Sequence, residues 1–194
     1  MEITKAEFKT SVGSNNFPEG YTEIAVVGRS NVGKSSLINF LTNYGKLART
    51  SKEPGRTRLI NYFSINDGQF YLVDLPGYGY ARVSDAEKDK WATLIESYLL
   101  ESTGLKHVFV LVDIRHEPTA LDKQMINYLY HYNVPFSVIA TKADKLSKAE
   151  AARQRKKIAD ILHLTPSNIY LSSSLNKSGK AEILTRIEQI LNNL

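Results

Sequence analysis

The eight residues GRSNVGKS, Gly28 to Ser35, carry the densest chemistry in the chain. They match the spacing G-x-x-x-x-G-K-[ST]. They fall between a continuous β-branched run, TEIAVVG, and the stretch LINFLTN, in which Leu37, Ile38 and Leu41 recur at helical spacing. Glycines at 28 and 33 let the backbone curl so that successive N–H groups and a helix N-terminus face phosphate oxygens. Lys34 would reach the outer phosphates, and Ser35 would offer its hydroxyl to Mg²⁺. Gly28, Arg29, Ser30, Asn31, Val32, Gly33, Lys34, Ser35 and Ser36 together form the candidate phosphate cradle.

Two further groups belong beside that cradle. In DLPGYGYA, Asp74 ends the apolar run QFYLV, and a carboxylate at the C-terminal end of a neighbouring strand is where a magnesium-water ligand belongs. Gly77 can lend its N–H to a terminal phosphate. In ATKAD, Asp144 can accept two parallel hydrogen bonds from the N1–H and exocyclic amine of guanine, a pair that adenine does not offer. The stem of Lys142 can lie over the base, and backbone N–H groups of the SSS run, with Ser172 and Ser173 preferred, can meet the guanine carbonyl.

These residues need strand ends to hold them. A chain of 194 residues with 42% hydrophobic and 23% charged residues suits one well-buried domain, here residues 21–194, preceded by a polar N-terminal arm at 1–20 that is open to disorder. The absence of cysteine excludes disulfides and thiolate metal sites and is compatible with a reducing cytoplasm. The start MEITKAEFKT has no apolar core of a signal peptide, and no run reaches membrane-span length. A formal charge of +5 favours anionic partners. LINYFSI and QFYLVDL flank the turn NDG and read as a hairpin. HVFVLVD, PFSVIATKAD and IYLSSS read as buried strands separated by helical patterns at about 85–101, 120–132, 148–162 and 180–193. The expectation is an α/β fold: a mostly parallel six-stranded sheet with one antiparallel hairpin strand and helices on both faces. Thr119 with Asp122, and Ser147 with Glu150, have capping-box spacing. His107 and His131 read as boundary residues, His163 as a helix-end residue, and Trp91 as core or partner contact. Lys145, Lys148, Arg153, Arg155, Lys156 and Lys157 read equally as a solvated face or an RNA contact.

The ordered set GRSNVGKS, PGRT, DLPG, TKAD and SSS resembles the translation-factor-type GTPases. DLPGYGYA with VDIRHEPTALD resembles the EngB (YihA/YsxC) family of bacterial ribosome-assembly GTPases over essentially the whole chain. The resemblance implies a Ras-like P-loop GTPase fold, GTP or GDP bound with Mg²⁺, and a switch role on the large ribosomal subunit or its precursor. Slow unaided hydrolysis is expected because Tyr78 has no amide to orient water, and with no amphipathic membrane helix or lipidation signal the expectation is a cytoplasmic monomer without stable membrane association. The resemblance also implies that Thr57 of PGRT ligates Mg²⁺ and touches the γ-phosphate, with Thr50 as competitor, in a loop made positive by Arg49, Lys52, Arg56 and Arg58. It further implies K⁺ at Asn31, so that Lys34, Thr57, Gly77 and Asn31 form the catalytic set and Ser35, Thr57 and Asp74 the metal set. Thr141 stands where many such proteins have asparagine, and Tyr78 stands where signalling GTPases place a water-orienting glutamine. The rival reading is a nucleotide-dependent binding module or cell-cycle adaptor with vestigial hydrolysis.

Overall fold

The structure, a computed structural model, describes residues 1–14, 16–48, 59–79 and 84–193. Thr50, Thr57, the basic residues around them and Tyr80 lie outside the described residues. The elements in chain order are β1 (Ala6–Val12), β2 (Glu23–Gly28), α1 (Lys34–Thr42), β3 (Ile60–Ile65), β4 (Phe70–Asp74), α2 (Asp85–Glu101), β5 (Leu105–Asp113), α3 (Ala120–His131), β6 (Phe136–Thr141), α4 (Lys148–Leu162), β7 (Ile169–Leu171) and α5 (Lys180–Asn192).

The sheet runs β1-β3-β4-β2-β5-β6-β7. β3 is antiparallel to both β1 and β4, and the remaining pairs are parallel. The sequence predicts six strands, and the structure corrects this to seven. The added strand is β1, drawn from the polar arm. It pairs only with β3 at the sheet edge, so just one of its flanks is bonded and its burial does not alternate cleanly, although Phe8 stacks edge-on to Phe63 at 6.0 Å. The hairpin turn between β3 and β4 holds Asn66, Asp67 and Gly68 all at positive φ, the conformation that asparagine, aspartate and glycine tolerate best.

Alternation along β2 feeds two cores. Ala25 and Val27 pack with Leu94, Tyr98, Ile126 and Ile158, so α2, α3 and α4 cover one face. Ile24 and Val26 pack with Leu37, Leu41, Ile183 and Ile187, so α1 and α5 cover the other. Full burial of each valine, leucine or isoleucine side chain contributes roughly 1.5–3 kcal/mol. Both expected capping boxes are present, Thr119 with Asp122 on α3 and Ser147 with Glu150 on α4. Because β2 lies between β4 and β5, with helices leaving to opposite faces, a crevice opens at the strand C-termini. That is the switch point where ligands settle in open α/β sheets.

Candidate functional site

The cradle residues all lie in that crevice, between the end of β2 and the first turn of α1. Gly28 is required by close approach: a Cβ there would come within 2.9 Å of the Leu111 carbonyl and 3.0 Å of Val32. Gly33 caps α1 at φ 115° and offers no side-chain cap, so among the described residues no side chain takes up the first amides of the helix. Those N–H groups, with the positive end of the helix behind them, present an anion site. Thr141, at the end of β6, points its hydroxyl at this loop, 2.7 Å from the Val32 carbonyl and 3.1 Å from that of Val112. Its single proton is spent on backbone, so the hydroxyl braces the cradle rather than the base. Lys142, in the left-handed region at φ 61°, sends its ammonium to the Asn31 carbonyl at 3.0 Å and to Asp113 at 2.8 Å. The Asn31 side chain itself is exposed.

Asp113, which the sequence did not reveal, lines a cavity with Asn31 and Lys142 and is held there by Arg115. Burial works against ionisation of Asp113, yet hydrogen bonds from Arg115 and Lys142 outweigh it and hold the carboxyl well below the ordinary range. Arg115 grips it bidentately, Nε at 2.9 Å and Nη2 at 2.7 Å. The only available signal was the spacing of D-x-R at a strand end.

Asp74 closes β4 alongside Val26 and is 3% exposed. Its Oδ1 has no hydrogen-bond partner among the described residues. Burial pushes its carboxyl up to about 6, with the Lys34 ammonium pulling the other way. A buried, orphaned carboxylate oxygen beside a phosphate cradle fits Mg²⁺, which is characteristically held by one or two carboxylates together with phosphates and waters. Among the described residues no three His, Asp or Glu side chains gather to hold a metal unaided. Gly77 is buried, and its N–H takes no partner among the described residues.

At the base end, Asp144 sits in the turn after β6, its Oδ1 accepting from the Ser173 hydroxyl at 2.6 Å. That bond, with help from Lys145, keeps the carboxyl below its ordinary value and fixes its plane. The three serine amides differ in what they bond. The Ser172 N–H is spent on Ala140 and the Ser173 N–H on Ser178, whereas the Ser174 N–H has no partner among the described residues. Ser174 and Asp144 share a cavity of about 180 Å³ with Gly33 and Lys142.

The Tyr78 ring packs against the core, and its hydroxyl donates to Asp122 at 2.9 Å. His116 lines a second cavity of about 250 Å³ beside Arg29 and Lys142. His107 is inside β5 rather than at a boundary, 2% exposed and 3.0 Å from the Ser137 hydroxyl. His163 caps the end of α4 at φ 55°. Trp91 is buried on α2. Within the basic group, Lys157 pairs with Glu117 at 2.7 Å and Arg155 donates to the Pro166 carbonyl at 2.8 Å.

A candidate phosphate cradle, a facing buried carboxylate and a serine-braced carboxylate at the switch point of a mostly parallel sheet have the arrangement of the P-loop GTPase class. Consistently, the family model described as 50S ribosome-binding GTPase matches residues 23–142. The chain is 51% identical over 190 residues to the "probable GTP-binding protein EngB" of Clostridium beijerinckii, covering 96% of each. It is 50% identical to that of Fusobacterium nucleatum, covering 100% of each. The chain therefore belongs to the EngB family of GTP-binding proteins. Its fold matches a crystal structure of a probable GTP-binding protein EngB with TM-score 0.76 at 22% identity, covering 89% of this chain and all of that one. It also matches Era in complex with MgGDPNP and a 16S ribosomal RNA fragment with TM-score 0.68 at 23% identity, covering 88% of this chain and 56% of that one.

Proposed function

We propose that residues 21–194 form a single guanine-nucleotide switch that binds GTP and GDP, hydrolyses GTP slowly, and docks in its GTP form on the large ribosomal subunit or its precursor. The carrying observation is the Ser173-braced Asp144 facing the same cavity as the unspent Ser174 N–H, a donor and a paired acceptor that complement the guanine edge. Gly28 to Ser36 cradle the phosphates, Lys34 stabilises charge on the outer ones, and Gly77 gives its N–H to the terminal one. Ser35, Asp74 and Thr57 would hold Mg²⁺, which when bound neutralises charge on the bridging and terminal phosphate oxygens. Asn31 is the proposed ligand of K⁺, supported by its exposed side chain at the cradle. Tyr78 has no amide to orient the attacking water in either position of its ring, so unaided turnover should be slow.

The ribosomal reading is supported by the description of the matching family. A cytoplasmic monomer fits it, and none of the described helices is long and apolar enough to cross a membrane. Nucleotide binding and turnover test the reading. GTP and GDP should bind, ATP should be rejected by roughly 10⁴ on the precedent of sites built around a hydrogen-bonded group, and chelation of Mg²⁺ should abolish hydrolysis. Equal binding of ATP and GTP would overturn it.

A further inference from the structure

Tyr78 of the tyrosine-glycine repeat and Asp122 of the segment DIRHEPTALD have no part in holding the nucleotide as described above, yet the structure brings them into contact. We propose that Tyr78 and Asp122 form a strap that holds the loop after Asp74 against the phosphate cradle, and that this strap must open before a terminal phosphate can be received. The proposal rests on the guanine-nucleotide reading.

The strap is anchored at both ends. At the cradle, the Tyr78 N–H donates to the Gly28 carbonyl at 3.3 Å and its carbonyl accepts from the Ser30 N–H at 2.9 Å. These bonds extend the parallel β2–β4 pairing past both strand ends as an isolated bridge between Arg29 and Tyr78. At the other end, the Tyr78 hydroxyl meets Asp122 Oδ1 at 2.9 Å. Asp122 is 3% exposed, and its second oxygen is locked by the Thr119 N–H at 2.8 Å and the Thr119 hydroxyl at 2.7 Å, in the first turn of α3. An acidic residue there is favoured by the helix dipole, so the far anchor is rigid. Immediately after Tyr78, Gly79 turns the chain at φ 79°; a Cβ on it would come within 3.2 Å of Leu121 and 3.6 Å of Arg29.

This arrangement opposes a terminal phosphate. The Ser30 N–H belongs to the anion cradle, and while it serves Tyr78 no phosphate oxygen can use it. The Tyr78 carbonyl also presents its negative end to the same edge. A diphosphate leaves that edge untouched. A triphosphate must recruit the Gly77 N–H next door and so displace Tyr78, losing the bond to Asp122. Apparent triphosphate affinity is then reduced by the fraction of molecules whose strap is open. Tyr78 and Asp122 are positioning residues that act through Gly77.

Tyr78→Phe removes the hydroxyl alone, and its effect is read as the affinity of a labelled non-hydrolysable GTP analogue relative to labelled GDP. The triphosphate analogue should bind roughly tenfold tighter, the worth of a buried hydrogen bond to a carboxylate, while GDP binding moves less than about twofold. In a double-mutant cycle, Asp122→Asn should raise the same ratio in the native background and leave it unchanged in the Tyr78→Phe background. An unchanged ratio, a weakened triphosphate affinity, or additive effects of the two substitutions would overturn the strap. Failure of the unmodified chain to bind either nucleotide would instead overturn the underlying reading, and the strap with it.

Discussion

Asp144→Asn isolates the base reader from the rest of the site. The carboxylate is 12% exposed, and one of its oxygens is already fixed by Ser173 at 2.6 Å, so its direction does not depend on the ligand. Asparagine keeps the volume and can still accept from the Ser173 hydroxyl through its carbonyl oxygen. What it loses is the second acceptor, replaced by an amine that faces a guanine donor. Hydrogen bonds to a charged group contribute roughly 1.5–3 kcal/mol each, so disrupting the pair removes about 3–6 kcal/mol, or roughly 10²–10⁴ in Kd. Fluorescence titration with labelled GDP and labelled xanthosine diphosphate reads this directly. GDP affinity should fall within that range, xanthosine diphosphate affinity should rise because its extra carbonyl meets the new donor, and the melting temperature should barely move. GDP binding within threefold of the unmodified chain would refute the assignment of Asp144 as base reader.

The remaining predictions concern the braces around the site. Thr141→Val removes the hydroxyl that reaches the Val32 carbonyl and should weaken GDP roughly fivefold to tenfold, as titration would show, with no change in base preference. His107 is buried neutral, its value pushed down to about 3 chiefly by burial and secondarily by Arg186. Its depressed value contributes stability that is full above the unfolded value of about 6.5 and is lost as pH falls toward 3, up to roughly 5 kcal/mol. Denaturant melts across that window should therefore lose stability with acid, and His107→Gln should flatten the curve. Potassium, but not sodium, should raise GTP hydrolysis several-fold in a phosphate-release assay, and Asn31→Ala should abolish that response while GDP binding persists.

The parts legible in the sequence are those set by local spacing. GRSNVGKS, the two capping boxes and the hairpin turn at Asn66 to Gly68 each specify their backbone within a few residues. The α5 stripe from Ile183 to Ile190 does so by periodicity. β1 was hidden because an edge strand with one neighbour needs no clean alternation. The identity of the free serine amide was hidden for a different reason. The Ser172 N–H is consumed by Ala140 on β6 and the Ser173 N–H by Ser178, pairings that exist only once β7 docks. His107 looked peripheral because β5 begins earlier, at Leu105. The reach of Lys142 to the Asp113 carboxylate depends on the ends of β5 and β6 lying side by side, which no linear spacing announces. The direction of the Tyr78 ring was equally open, since glycines on both sides permit either face.

Co-sedimentation is the sharpest test of the proposed nucleotide-controlled encounter with the large ribosomal subunit. Purified chain is mixed with large subunits or their precursors, with GDP or a non-hydrolysable GTP analogue, and separated on sucrose gradients at several salt concentrations. The chain should travel with the large subunit in the GTP analogue and remain at the top in GDP, with binding that falls steeply as salt rises because phosphate contacts release counterions. Equal association in both nucleotides, or none with the large subunit in either, would contradict it.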